Sequence, residues 1–176
     1  DITVSTIGNS TLSNVGNVDL IEIQSNVTAN YNTLFNQDYW IMSYNDHGSE
    51  NSWGSGEING NSNRFYYNTG LQNGNLLDNK TTVPLIFSLA CNTGWFDSNS
   101  KSLAENFTVS NQHGSIGFIG SSRVSHTNII HSLQYLLFEG IAQKRFSQMG
   151  ELLLQAKLNK GLKVEGKRQF LLFGDP

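Results

Sequence analysis

The nine residues Val83-Pro84-Leu85-Ile86-Phe87-Ser88-Leu89-Ala90-Cys91 carry the strongest structural signal in this chain of 176 residues. Residues 83–89 are almost continuously apolar, which is typical of a parallel β-strand buried on both faces. Cys91, the only cysteine in the chain, follows directly after this run. Functional groups of open α/β sheets lie just beyond the carboxyl ends of the strands, so this position favours a functional role for the Cys91 thiol. A small buried hydrophobe is the simpler interpretation of such a cysteine.

An earlier apolar run, residues 39–45, leads to a histidine in the same way, because His47-Gly48 follows it. If the two strands are neighbours, about 4.8 Å apart, the imidazole and the thiol share one cleft. The imidazole could then favour the reactive thiolate and later protonate a leaving amine. Gly48 has no side chain, so its amide can approach a substrate closely. The amides of Gly48 and Cys91 could together form an oxyanion hole.

The rest of the chain alternates strands with helices, which predicts a mostly parallel sheet covered by helices on both faces, in a three-layer α/β sandwich. Residues 49–82 are polar and rich in Gly and Asn, which indicates an inserted loop region or small subdomain. Its aromatic residues, Trp53 among them, either pack this region onto the domain or bind peptide or sugar. Further strands are predicted over residues 2–7, 20–24, 115–120 and 168–173, and helices over residues 25–36 and 99–111, from Thr127, and after Ser147.

Composition restricts the class of protein. The net charge is −3 and only 14% of residues are charged, so no basic surface indicates a nucleic-acid partner. No apolar run approaches the roughly 20 residues of a membrane span. Asparagine is unusually abundant, at 22 of 176 residues, which is more typical of an exported bacterial protein. The absence of an initiator methionine predicts a piece of a longer protein, here one domain over residues 1–176.

Two segments resemble the gingipain family of cysteine peptidases, within the larger caspase-like group. They are Tyr44-Asn45-Asp46-His47-Gly48-Ser49 and Ser88-Leu89-Ala90-Cys91-Asn92-Thr93-Gly94. The family signature is His-Gly after one strand and Ala-Cys after the next. The similarity spans about residues 38–176 and includes three further segments, Leu103-Ala104-Glu105-Asn106-Phe107, Gly114–Ser122 and Phe173-Gly174-Asp175-Pro176.

The resemblance implies a caspase-like fold and a cysteine endopeptidase that works through an acyl-enzyme intermediate. It implies Cys91 as the nucleophile, His47 as the general acid/base, and the Gly48 and Cys91 amides as the oxyanion donors. The loop Ser121-Ser122-Arg123 is implied to line the specificity pocket. The expected partners are a protein or peptide substrate and other domains of the parent chain, in a secreted or cell-surface protein. The chemistry needs no cofactor, and a structural calcium ion is conceivable without identifiable ligands.

Some residues depart from the family pattern or leave roles open. Asp46 stands where the family often has glycine, and strand alternation directs it away from His47. Some family members orient the histidine with an upstream carboxylate, for which Asp19 and Glu22 are the nearby candidates. Cleavage after Arg or Lys would need a carboxylate in the pocket. The candidates for that role are Asp46, Glu50 and Asp97.

Two other functions fit the same sequence. One is a catalytically inactive binding or assembly domain on a caspase-like fold, which a buried Cys91 or a His47 turned away would favour. The other is a sortase-like transpeptidase of a secretion system, which would transfer the acyl group to an amine rather than to water.

Overall fold

The computed structural model describes residues 39–55, 64–68, 83–109, 114–143 and 147–176. The strands predicted over residues 2–7 and 20–24 and the helix predicted over residues 25–36 lie outside these ranges. In chain order the described elements are β1 (Ile41–Asn45), β2 (Gly48–Ser49), β3 (Ser52–Ser55), β4 (Arg64–Asn68), β5 (Leu85–Leu89), α1 (Leu103–Thr108), β6 (Gly117–Ser121), α2 (Thr127–Ala142), α3 (Met149–Leu158), α4 (Val164–Gln169) and β7 (Phe170–Gly174).

The main sheet has the strand order β1-β5-β6-β7. β5 pairs in parallel with both β1 and β6, and β7 closes this order antiparallel to β6. The sheet is therefore mostly parallel, as predicted. The last strand begins at Phe170 rather than at Arg168, because the short helix α4, which the sequence pattern did not indicate, precedes it.

β5 lies between β1 and β6 in the sheet, and all five of its residues are buried. Leu85, Phe87 and Leu89 pack into an apolar cluster with residues of α2 and α3. Ile86 points to the opposite face, where it packs with α1 and with Trp53. Successive side chains of a strand face opposite sides, so a strand between two packed layers needs apolar residues at consecutive positions, and β5 has them at every position except Ser88. The three-layer arrangement is confirmed.

The helices bury the stripes that their spacing predicts. In α2, Ile129, Ile130, Leu133 and Leu137 are buried, at the 3.6-residue period of an amphipathic helix. In α3 the buried residues are Leu152, Leu153 and Ala156. α1 is shorter than the predicted span of residues 99–111. It begins after Ser102, whose side chain and that of Glu105 form a reciprocal capping box that fixes the start of the helix.

The polar region predicted over residues 49–82 contains β-strands within its described residues. β2 and β3 form an antiparallel hairpin, and β4 extends it to a three-stranded sheet. Trp53 is 1% exposed, stacks on Tyr44 at 4.8 Å between ring centroids, and donates its Nε1–H to Ser88 Oγ at 2.8 Å. Trp53 thus packs this hairpin onto the main sheet, which favours the packing role over a ligand-binding one.

Candidate active site

The pairing of β1 with β5 places His47 and Cys91 at corresponding positions. Asn45 and Leu89, the last residues of the two strands, are register partners in parallel strands. His47 and Cys91 each follow two residues later. Because neighbouring parallel strands end at the same edge of a sheet, both residues lie beyond its carboxyl edge, where α/β proteins place their working groups. The adjacency that the sequence analysis had to assume is present.

Gly48 gives a second measure of how closely the two segments approach. A Cβ added at Gly48 would lie 2.8 Å from Cβ of Ala90, 2.9 Å from the carbonyl oxygen of Cys91 and 2.9 Å from Cγ2 of Thr93. Those distances are shorter than van der Waals contact, so a side chain at this position would force the segments apart. Glycine is required here by close approach, and the residue after His47 lies against the residues around Cys91.

The hairpin also orients the Gly48 amide. The backbone N–H of Gly54 donates to the carbonyl of His47 at 3.1 Å, which makes this a hydrogen-bonded antiparallel pair. The next pair, Gly48 with Trp53, is therefore non-hydrogen-bonded, and the Gly48 N–H points away from β3. This orientation is compatible with the oxyanion role predicted for Gly48, which stays a prediction.

Cys91 is half-buried, and its sulfur lies against a backbone segment that follows β6. The Ser125 N–H donates to Sγ at 3.3 Å, and the thiol donates to the Ser125 carbonyl at the same distance. The main chain of Ser125 thus contacts the sulfur both as donor and as acceptor. The residue after the cysteine, Asn92, has a φ of 59°, a left-handed conformation that asparagine tolerates better than most residues. This conformation turns the chain sharply at the carboxyl end of β5.

The surroundings of His47 hold its backbone in place. The carbonyl of His47 accepts hydrogen bonds from Tyr44 Oη at 2.8 Å and from the Gly54 amide, while its own N–H donates to Asp46 Oδ1 at 2.7 Å. Asp46 is thus engaged with the backbone rather than with the imidazole, in agreement with the expectation from strand alternation. The His47 side chain is exposed and has no hydrogen bond to another described residue. Asp19 and Glu22, the candidates for orienting it, lie outside the described ranges.

The predicted specificity loop borders the nucleophile through its backbone. Asn92 N–H donates to the Arg123 carbonyl at 3.2 Å, and Gly94 N–H donates to the Ser121 carbonyl at 2.8 Å. The hydroxyls of Ser121 and Ser122 are used internally, since they donate to the carbonyls of Arg123 (2.7 Å) and Gln169 (3.0 Å). Only Arg123 presents an exposed side chain here. Substrate binding by residues 121–123 stays a prediction, with Arg123 as its accessible member.

The three carboxylates proposed for a basic pocket all have partners. Asp46 accepts from the His47 amide. Asp97 binds the Arg123 guanidinium through both oxygens, at 2.8 and 2.7 Å, and these hydrogen bonds hold the pKa of Asp97 below its ordinary value. Glu50 accepts hydrogen bonds from the Ser100 and Ser98 hydroxyls, which lower its pKa. Of these partners only Arg123 is a cation, so Asp97 is the candidate whose negative charge is already paired.

Two contacts near the site had no local signal in the sequence. Ser125 lies 34 residues from Cys91, and Glu50 lies 48 residues from Ser98. The Glu50 contacts join the turn of the β2–β3 hairpin to the loop that follows Cys91. Neither Ser125 nor the serines at 98 and 100 belong to a recognisable motif, so only the fold reveals these contacts.

Neither a metal-binding cluster nor a membrane-spanning helix is found among the described residues. Within those ranges no three His, Cys, Asp or Glu side chains gather as a metal-binding group. None of the described helices is long and apolar enough to cross a bilayer. The expectations of a cofactor-free reaction and of a structural calcium ion both stay expectations.

Comparison with known proteins identifies cysteine peptidases as similar in sequence and in structure. A sequence model of peptidase family C25 matches residues 5–176. The Arg-specific cysteine proteinase gingipain R (RgpB) is similar in structure, with a TM-score of 0.72 and 22% identity over 87% of this chain and 36% of that chain. The complex of the RgpB pro- and mature domains from Porphyromonas gingivalis gives a TM-score of 0.71 and 23% identity, over 87% and 37% of the two chains.

A further solved structure, described as a protease, has a TM-score of 0.61 and 17% identity over 81% of this chain and 36% of that chain. At these identities the likeness concerns the fold. This chain spans little more than a third of the length of these solved structures. No curated protein sequence matches it significantly.

Proposed function

This chain belongs to peptidase family C25, the family that its motifs indicated, and we propose that it is a cysteine endopeptidase with Cys91 as its nucleophile and His47 as its general acid/base. The observation that carries the proposal is the register of β1 and β5, which brings these two residues to corresponding positions at one edge of the sheet. The partial exposure of Cys91 supports it as well, because a nucleophile must be reached by a substrate.

The proposed reaction has two steps. The Cys91 thiol gives its proton to His47 and the sulfur attacks the scissile carbonyl; the tetrahedral intermediate then expels the amine, which takes the proton from His47. Water, deprotonated by the same imidazole, attacks the acyl-enzyme and releases the carboxylic acid and the free thiol. The amides of Gly48 and Cys91 are the proposed donors to the oxyanion in both steps.

Labelling with peptidyl acyloxymethyl ketones tests the nucleophile directly. We expect the native protein to gain one adduct, mapped to Cys91 by peptide mass, and Cys91→Ala to gain none. His47→Ala should react far more slowly, whereas His131→Ala, which removes an exposed histidine of α2, should react like the native protein. Failure of every probe to label Cys91 in folded protein would move the assignment to a non-catalytic binding domain.

The fate of the acyl group separates hydrolysis from transfer. With a cleavable peptide and a primary amine such as glycinamide in the buffer, a peptidase releases mainly the free acid at low amine concentration. A sortase-like transpeptidase instead forms mainly the amide product and turns over slowly without the amine. Because Cys91 and His47 would serve both reactions, the product distribution is the discriminating measurement.

Export from a bacterial cell is part of the same proposal. It is supported by the high asparagine content and by the low fraction of charged residues. Fractionation of the source cells should find the protein in the medium or at the cell surface. Recovery in the cytoplasm alone would contradict it.

A further inference from the structure

An ion pair stands beside the proposed nucleophile. Arg123 belongs to the segment that contacts Cys91, because its carbonyl accepts from the Asn92 amide and Ser125, two residues later, contacts the sulfur. Asp97 belongs to the loop that follows Cys91. The pair therefore joins the two loops that border the nucleophile, and its side chains are 48% (Arg123) and 46% (Asp97) exposed. Because both loops border Cys91 through their backbones and both side chains are exposed, the pair is accessible to a peptide bound at this edge of the sheet.

The hydrogen bonds of the guanidinium are unevenly distributed. Nη1 donates to Asp97 Oδ1 at 2.8 Å and to the Ser122 carbonyl at 2.6 Å, and Nη2 donates to Asp97 Oδ2 at 2.7 Å. A guanidinium has five N–H groups, so two remain: Nε–H and the second hydrogen of Nη2. Neither has an acceptor among the described residues. These two hydrogens share one edge of the planar group, which is the edge that binds a carboxylate in a bidentate manner.

The guanidinium is also held in orientation. Asp97 fixes one edge with two hydrogen bonds, and Trp95 packs against the guanidinium, with its ring centroid 5.5 Å from Cζ of Arg123. Such a fixed fork loses little side-chain freedom when it binds a second carboxylate. Asp97 is occupied by Arg123 in the same arrangement, so a basic substrate side chain would meet a positive charge where it would need a free negative one.

We propose that Arg123, oriented by Asp97, is a specificity-determining residue that binds a carboxylate side chain, Asp or Glu, of the peptide substrate near the scissile bond. The inference rests on the proposed peptidase function and names its substrate class. The unused Nε–Nη2 edge would donate the two hydrogen bonds to the substrate carboxylate. The backbone contacts of residues 123 and 125 with Asn92 and Cys91 hold this loop beside the nucleophile.

Matched substrates test the inference. Internally quenched peptides, identical except for Glu, Gln or Lys at one position on the amino-terminal side of the cleaved bond, are compared by kcat/KM. We expect Glu to exceed its isostere Gln by about tenfold or more at one position, as for a charge-assisted hydrogen bond, and Lys to be the poorest. Arg123→Gln should abolish the Glu preference, so that the ratio of kcat/KM for the Glu and Gln peptides falls to about one. Lys160→Gln, which removes an exposed positive charge between α3 and α4, should retain the preference.

The outcomes separate this inference from the function on which it rests. If no peptide is cleaved and no acyloxymethyl ketone labels Cys91, the peptidase proposal fails. If cleavage occurs but Glu and Gln peptides are equivalent, or if Arg123→Gln leaves their ratio unchanged, the carboxylate site is wrong. A preference for Lys that increases in Arg123→Gln would overturn it in favour of Asp97 as a binding group for basic side chains.

Discussion

The sulfur of Cys91 lies 3.3 Å from both the backbone nitrogen and the backbone oxygen of Ser125. The contact joins the end of β5 to the segment after β6 and involves only the main chain of Ser125. Its hydroxyl is buried and has no hydrogen-bond partner among the described residues. A buried polar atom without a partner costs free energy, so the Ser125 side chain opposes the stability of a contact that its backbone makes.

Ser125→Ala is therefore expected to keep the reactivity of Cys91 and to raise the free energy of unfolding by about 1 kcal/mol, through removal of an unpaired buried hydroxyl. The rate of iodoacetamide alkylation at Cys91 and urea unfolding measure the two effects. A matched control is Ser132→Ala on α2, whose hydroxyl donates to the Asn128 carbonyl and which should gain no stability. A slower alkylation rate in Ser125→Ala would show that the hydroxyl, and not the backbone alone, contributes to the reactivity of Cys91.

Gly48→Ala should damage both stability and reactivity. The new Cβ would come within 2.9 Å of Ala90, Cys91 and Thr93, of which the Cys91 contact is a backbone atom that cannot rotate away. Overpacking of this kind costs about 1–3 kcal/mol, and relief of the clash would separate His47 from Cys91. Probe labelling of Cys91 and thermal unfolding are the measurements. Gly161→Ala, whose Cβ would meet only Asn159 Oδ1 at 3.2 Å, serves as the control. Normal labelling in Gly48→Ala would contradict the close approach.

The strands beside the site were predictable because their signal is local. Residues 85–89 are apolar except for Ser88, and the pattern alone predicts a strand between two layers, which the full burial of β5 confirms. The apolar stripe that α2 buries is an equally local signal, because its residues recur at helical spacing. Strand order is not a local property, so the adjacency of β1 and β5 was an assumption, and the antiparallel direction of β7 had no sequence signal.

The polar contacts of the site were less predictable for a related reason. The Arg123–Asp97 pair spans 26 residues, and the Glu50 contacts span almost twice that distance. Each residue type is common on protein surfaces, and no spacing rule connects positions that only tertiary structure brings together. The sequence identifies Asp97, Glu50 and Arg123 as candidates, but their partners depend on the tertiary structure.

Ser88→Ala is expected to destabilise the interface between the hairpin and the main sheet. The buried Ser88 hydroxyl accepts from Trp53 Nε1 and donates to Thr93 Oγ1, both at 2.8 Å. Its removal leaves the indole N–H without this acceptor in an apolar cluster, at a cost of about 1–3 kcal/mol. Urea unfolding followed by tryptophan fluorescence measures the change. Ser43→Ala, at an exposed position of β1, should have little effect, and equal stability losses in the two variants would refute the role of this buried chain of hydrogen bonds.

The contribution of Glu50 should depend on pH in a defined direction. Ser100 and Ser98 donate to its carboxylate and hold its pKa below the ordinary value of 4.5. A group whose pKa is depressed by folding stabilises the folded state above its unfolded pKa, and this stabilisation is lost as pH falls through the folded pKa.

Glu50→Gln removes the charge but keeps an oxygen acceptor. The stability difference between the native protein and Glu50→Gln should thus be largest near neutral pH and should shrink as the pH falls below 4.5. Urea unfolding across this range measures it, with Glu151→Gln, exposed on α3, as the control. A difference that grows toward acid would mean that the protonated carboxyl binds these serines better than the carboxylate does.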